Sequence, residues 1–248
     1  MFSLHKGDCL QYMKTLPDGF FDLLLTDPPY GIGASAKNFK SGSLVNQRPD
    51  DFYGEWDKER PSKEVFEQMF RVSKNQIIFG GNYFIDYLTP TRCMIFWDKN
   101  TENTSYADGE IAWTSFDENT KLFRKSWVGA NAKDTPERVH PTQKPVSLMK
   151  RIILHYTKPD EIVFDPFMGS GTAGVACVQE GRHFYGCEIN QKYFSTAKKR
   201  IEQAVLSPSL FTPANNRLHL TGGESGQQNL FSAGDTLPAK LPAKSPRR

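Results

Sequence analysis

The sequence predicts an α/β fold, a doubly wound, mainly parallel sheet of seven strands with helices on both faces. Three observations lead there. Short apolar runs such as 20–25 and 162–164 end in acidic residues and show no polar alternation, as strands covered on both faces do. Amphipathic helical stretches separate several of these runs. Residues 162–188 read as a complete β-α-β unit, with a glycine turn after the first strand and an acidic residue after the second.

Residues 2–6 form a short strand ending at Gly7-Asp8, and 9–16 have helical character that stops at Pro17-Asp18-Gly19. Asp8 therefore stands at the carboxyl end of a strand, where doubly wound sheets bind ligands, and is equally a good helix N-cap. The strand at 20–25 runs into Asp27-Pro28-Pro29-Tyr30. About thirty residues with little periodicity follow, 31–61, and a stretch of that length in a compact domain reads as a lid or a DNA-facing loop, although its charges cancel. Val65, Phe66, Met69, Phe70 and Val72 make the stripe of a helix over 62–72. Strands are expected at 76–79, 93–97 and 110–116, with a short helix at 82–88.

Between 120 and 140 the chain is basic and laced with aromatics. Lys121, Arg124, Lys125, Trp127, Lys133 and Arg138 make this the leading candidate for DNA contact, a solvated loop being the plain alternative. His140-Pro141-Thr142-Gln143-Lys144-Pro145 then opens a helix over 146–156. A lysine at a helix start faces the positive end of the dipole and needs an anion beside it, so Lys144 is a candidate to bind a carboxylate. The strand at 162–164, the loop Asp165-Pro166-Phe167-Met168-Gly169-Ser170-Gly171-Thr172, a helix at 173–180, a strand at 183–187 ending in Glu188, and a last helix at 190–206 complete the domain. The tail, 207–248, is rich in Pro, Gly, Ser and Gln and is expected to be disordered.

Two stretches carry chemistry. In Asp27-Pro28-Pro29-Tyr30 the prolines fix the backbone and remove two N–H donors, which leaves the Asp27 and Pro28 carbonyls as acceptors beside a carboxylate and an aromatic ring. This set suits a planar molecule with an amino group. Hydrogen bonds to Asp27 and the Pro28 carbonyl draw the amine's lone pair out of conjugation while Tyr30 stacks on the ring. A simple strand-ending turn is the alternative, but a chain of this length holds that tetrapeptide by chance only about one time in a thousand. The second stretch, the glycine loop followed by Glu188, has the shape that holds an adenosine, with Glu188 on the ribose hydroxyls. It also spells Gly-x-Gly-x-x-Gly, so a dinucleotide-binding (NAD-type) oxidoreductase is the rival. Four residues from Asp165 to Met168 separate strand from glycine, and no substrate domain is expected after a unit so late in the chain. The missing Gly-Lys-Ser/Thr excludes an NTPase phosphate loop.

With these motifs the sequence resembles the amino-methylating nucleic-acid methyltransferases, whose catalytic motif is Asp/Asn/Ser-Pro-Pro-Tyr/Phe/Trp and whose Asp form is most often seen in adenine-N6 enzymes. The resemblance covers residues 1 to about 206. Because the catalytic corner precedes the cofactor loop, with the basic segment between, the order is circularly permuted and resembles the beta class of DNA amino-methyltransferases. The resemblance implies a Rossmann-like methyltransferase fold and direct methyl transfer from S-adenosylmethionine to N6 of a flipped adenine in double-stranded DNA. It implies catalysis by Asp27, Pro28, Pro29 and Tyr30. It further implies cofactor binding by Asp8 at the adenine ring, Lys144 near the methionine carboxylate, the loop residues Asp165, Pro166, Phe167, Gly169, Ser170, Gly171 and Thr172, and Glu188. The expected parts are a catalytic half (1–98), a target-recognition segment (99–140) and a cofactor-binding half (141–206), and related enzymes are often homodimers. Cytosine-N4, RNA and protein-amide methylation remain alternatives, as does a non-catalytic DNA-binding or clamp-tethered protein.

Composition adds bounds. The net charge of +3 is carried entirely after residue 206, so a nucleic-acid surface on the domain must be a local patch. Cys9, Cys93, Cys177 and Cys187 show no metal-ligand spacing, and no metal is implied. With no apolar run of spanning length and no signal-peptide opening, a soluble cytoplasmic protein is expected. In the tail, Gln227, Leu230 and Phe231 fit the Gln-x-x-Leu-Phe pattern of peptides that dock on bacterial sliding clamps.

Overall fold

A single sheet runs through the described residues, 1–33, 57–102, 107–126 and 143–207, of the computed structural model. Its strands are β1 (Phe2–Lys6), β2 (Phe21–Thr26), β3 (Ser73–Phe79), β4 (Met94–Asp98), β5 (Gly109–Thr114), β6 (Lys121–Arg124), β7 (Ile162–Asp165) and β8 (His183–Glu188). The helices are α1 (Cys9–Lys14), α2 (Lys63–Val72), α3 (Val146–Tyr156), α4 (Thr172–Gln179) and α5 (Gln191–Leu206). Across the sheet the order is β1-β8-β7-β2-β3-β5-β4-β6. The first five are mutually parallel, β5 is antiparallel to both neighbours, and β6 is parallel to β4. All strands but β5 therefore end on one edge, and β5 begins there.

The central strands bury both faces. Leu23, Leu25, Ile77, Phe79 and Val163 pack with Leu148, Ile152, Ala176 and Ile201 of α3, α4 and α5. Leu24, Ile78 and Phe164 pack on the other side with Met13 of α1 and Phe66 and Met69 of α2. Each large side chain buried this way contributes about 1.5–3 kcal/mol, which is why the unbroken apolar runs become interior strands.

Eight strands replace the expected seven. The added one, β6, lies inside the segment expected to be a basic DNA-contacting stretch. Only Phe123 of its four residues is buried, so its alternation is too short to read as a strand. The helix expected at 82–88 is reduced to a single 3-10 turn, Gly81–Tyr83, entered through Gly80 in the left-handed region (φ 67°). The strand expected at 76–79 starts at Ser73 because α2 passes directly into it. No helix among the described residues is long and apolar enough to cross a membrane. Trp127, Lys133, Arg138, His140, Pro141 and Thr142, the segment 34–56, and the tail with Gln227, Leu230 and Phe231 lie outside the described residues.

Candidate active site

The acidic residues singled out in the sequence collect on the shared strand edge. Asp8 follows β1, Glu188 ends β8, Asp165 ends β7 and Asp27 follows β2. Glu110, next to the start of the antiparallel β5, joins the row. The two chemical stretches, far apart in the chain, are thus neighbours: β2 pairs with β7, and the Thr26 hydroxyl donates to Asp165 Oδ1 at 2.7 Å.

At the catalytic corner Pro28 is buried and stops β2, and the Asp27 carboxylate is held at both oxygens. The Tyr30 hydroxyl donates to Oδ1 at 2.5 Å and the Lys144 ammonium donates to Oδ2 at 2.6 Å. Burial pushes the Asp27 carboxyl up, against the pull of Lys144. Lys144 Nζ also lies 2.9 Å from Glu110 Oε2, and Lys99 Nζ lies 2.6 Å from Glu110 Oε1. Burial alone would raise the Glu110 carboxyl, but Lys144 and Lys99 outweigh it and hold it at about 2. Burial likewise opposes the charge on Lys144, and the two carboxylates more than restore it, raising its pKa above the ordinary lysine range.

The backbone of the corner is fixed from the segment that returns to it. Asp57 is buried, and its Oδ1 accepts from the amides of Tyr30 (2.7 Å) and Gly31 (2.9 Å). Arg60 bonds both carboxylate oxygens of Asp86 (2.8 and 2.5 Å) and the Tyr83 carbonyl (3.1 Å), tying that segment to the Gly81–Tyr83 turn. The Tyr30 ring stacks on Tyr83, with centroids 4.6 Å apart and planes at 15°. The base-stacking ring expected from the sequence therefore has a protein ring on one face. A Cβ on Gly80 would fall 2.1 Å from Tyr30 Cε1, so only glycine lets the ring lie where it does.

The glycine loop is braced from behind. Arg200 of α5 donates to the Ser170 carbonyl and to the Ser170 hydroxyl (2.9 Å), and reaches the Thr172 hydroxyl at 3.4 Å. Ser170 and Thr172 are both buried, so these two expected cofactor residues hold the loop with their hydroxyls, and the turn is carried by backbone. Gly171 takes φ 75°, and a Cβ there would meet Ala197 Cβ at 2.8 Å. Glu188 accepts from the amides of Gly169 (3.0 Å) and Asn190 (2.7 Å), and burial raises its pKa. Asp165 accepts from Thr26 and from the Phe167 amide (3.0 Å), and burial pushes its carboxyl to about 7. Asp8 caps α1 through the Gln11 amide at 2.9 Å.

This side of the edge suits a cationic nucleoside. Among the described residues no lysine or arginine forms an ion pair with Asp8, Asp165 or Glu188, and ionised Asp165 is held at a cost that a positive ligand would relieve. S-adenosylmethionine brings a sulfonium, an ammonium and ribose hydroxyls, which match that set of acceptors.

The anions that Lys144 meets in the structure are the protein's own Asp27 and Glu110, because the strand order brings β2 and β5 beside the start of α3. The described part of the basic segment is partly neutralised: Arg124 bonds Asp98 at 2.7 Å and Lys121 lies 3.5 Å from Glu118. Arg124 ends β6 on the site's edge, whereas Lys121 begins that strand away from it. Glu110, Lys99, Asp57 and Tyr83 were missed in the sequence. A charged residue opening the apolar stretch 110–113 was the one signal that marked Glu110.

Residues 79–199 match the model of the N6/N4 methyltransferase family, described as DNA methylase. The Type II methyltransferase M.HinfI of Haemophilus influenzae is 28% identical over 82% of this chain and 69% of its own length. The crystal structure of the M1.HpyAVI–SAM complex is 26% identical with a TM-score of 0.54, covering 81% of this chain and 99% of that one. The PvuII DNA methyltransferase, cytosine-N4-specific, shares the fold at 17% identity and a TM-score of 0.52, covering 86% of this chain and 87% of that one.

Proposed function

We propose that this chain, a DNA methyltransferase of the N6/N4 family that uses S-adenosylmethionine, methylates the N6 amine of adenine. The observation that carries this reading is the partly buried Asp27 carboxylate at a proline-fixed strand end, one strand away from the glycine loop. The Asp-Pro-Pro-Tyr form of the motif is the one whose resemblance points to adenine. When bound, the cofactor supplies a methyl group on a sulfonium centre. Asp8, Asp165, Glu188 and the backbone of Gly169 and Gly171 would hold it at the ends of β1, β7 and β8. Asp27 and the Pro28 carbonyl would accept the amine's N–H groups and turn its lone pair toward the methyl; as the N–C bond forms the S–CH3 bond breaks to leave a neutral thioether, and the methylated nitrogen gives up its surplus proton to water. The target base takes the place on the Tyr30 ring that Tyr83 occupies in the free protein. Positioning and preorganised dipoles supply the acceleration, without a covalent enzyme intermediate. Arg124 and Lys125, with Trp127, Lys133 and Arg138, are the proposed DNA contacts.

The test is to incubate the protein with unmethylated genomic DNA and methyl-labelled S-adenosylmethionine, then digest the DNA to nucleosides. Label in N6-methyldeoxyadenosine is expected. Label in N4-methyldeoxycytidine would move the assignment to cytosine, and unlabelled DNA from protein that binds the cofactor would overturn it.

A further inference from the structure

Both oxygens of Asp27 are engaged before any substrate arrives, Oδ1 by the Tyr30 hydroxyl and Oδ2 by the Lys144 ammonium. Each oxygen keeps a second lone pair. An ammonium at 2.6 Å nevertheless withdraws charge from the carboxylate, and a charge-assisted bond is roughly twice as strong as one from a neutral amine. A neutral amine does not win that competition unless the ammonium has another carboxylate to go to.

The structure supplies one. Glu110 Oε2 is buried, lies 2.9 Å from the same Lys144 Nζ, and has no donor aligned on it in a hydrogen bond. Its partner oxygen is anchored by Lys99 at 2.6 Å, which keeps the carboxylate ionised and in place. Lys144 itself is buried, with its side chain 8% exposed, so its ammonium has no route to water as an alternative. The ammonium already lies between the two carboxylates, and a rotation about the lysine's terminal bonds is enough to aim its N–H at Glu110 in place of Asp27.

We propose that Glu110 is a positioning residue, which takes the ammonium of Lys144 as the target amine enters and so leaves Asp27 to the amine. This rests on the role given to Asp27 above. Glu110 touches neither the base nor the cofactor, and its effect on transfer passes entirely through Lys144.

The dependence on Lys144 is the test. Glu110→Gln keeps the shape and removes the charge, so the ammonium stays on Asp27, and kcat/KM for DNA is expected to fall by about tenfold or more while KM for S-adenosylmethionine changes by less than about twofold. In a Lys144→Met background the same Glu110→Gln substitution is expected to change kcat/KM by less than about twofold. An equal loss in both backgrounds would mean that Glu110 only supports the strand, and would overturn the proposal. Wild-type protein that methylates no DNA would instead defeat the underlying reading. Should Glu110→Gln fail to fold, the wild-type structure with a duplex that the protein methylates decides the matter. Lys144 Nζ is expected on Glu110 and out of reach of Asp27, and Lys144 still bonded to Asp27 with the base in place would overturn the proposal.

Discussion

Asp165 is a charge held against its environment. Burial lifts its carboxyl to about 7, well above an ordinary aspartate, so its ionisation opposes folding. The sign follows from proton counts. Between about pH 4 and about pH 7 the folded form holds a proton that the unfolded form has lost, so this contribution to stability falls as pH rises through that window and stays absent above it. Asp165→Asn is therefore predicted to raise the melting temperature of the free protein at pH 8 and to flatten its change between pH 5 and pH 8, read by calorimetry. An unchanged melting temperature at pH 8 would show that Asp165 is comfortably ionised. That Asp165 matters was legible in the sequence, since it opens the glycine loop directly after a strand. Its bond from Thr26 was not legible, because it depends on two strands becoming neighbours across 139 residues. The same holds for Lys144: its need for an anion was written locally, but its contacts with Asp27 and Glu110 were set by the strand order.

Among the elements, the turn that enters Gly81–Tyr83 and the return at Asp57 set the catalytic corner between them. Gly80→Ala is predicted to cost at least about 1–3 kcal/mol, because φ 67° disfavours any Cβ and the added carbon would strike the Tyr30 ring. Asp57→Ala leaves the amides of Tyr30 and Gly31 without their acceptor, a loss of about 1–3 kcal/mol concentrated at the corner. Methyl transfer is predicted to fall at least about tenfold in Asp57→Ala with cofactor affinity unchanged, measured by isothermal titration beside a transfer assay. Weaker cofactor binding in that variant would show that Asp57 serves the whole edge. Helices with clear apolar stripes, such as α2 and α3, were readable to within a residue or two. The strand β6 and the collapsed helix at 82–88 were not, since one is too short and polar to show alternation and the other is overruled by paired glycines at its start.

At the scale of the molecule, the beginning of the chain and residues 183–188 share one end of the sheet. β1 pairs with β8 in parallel, with Lys6 opposite Glu188, so Asp8 stands on the same stretch of the edge as Glu188 although it lies in the half of the sequence expected to be catalytic. The strand order divides the edge into an acidic side at β1, β8 and β7 that suits a cationic nucleoside, and a corner at β2, β3 and β5 that holds Asp27, the proposed acceptor of the amine. Sites so arranged should be separable by substitution, and Asp27→Ala measures this most directly. Isothermal titration of that variant with S-adenosylmethionine is predicted to give the wild-type affinity within about twofold, while labelled methyl transfer to DNA falls by at least about a thousandfold. Transfer at the wild-type rate, or loss of cofactor binding together with activity, would contradict the role of Asp27 as the acceptor of the target amine.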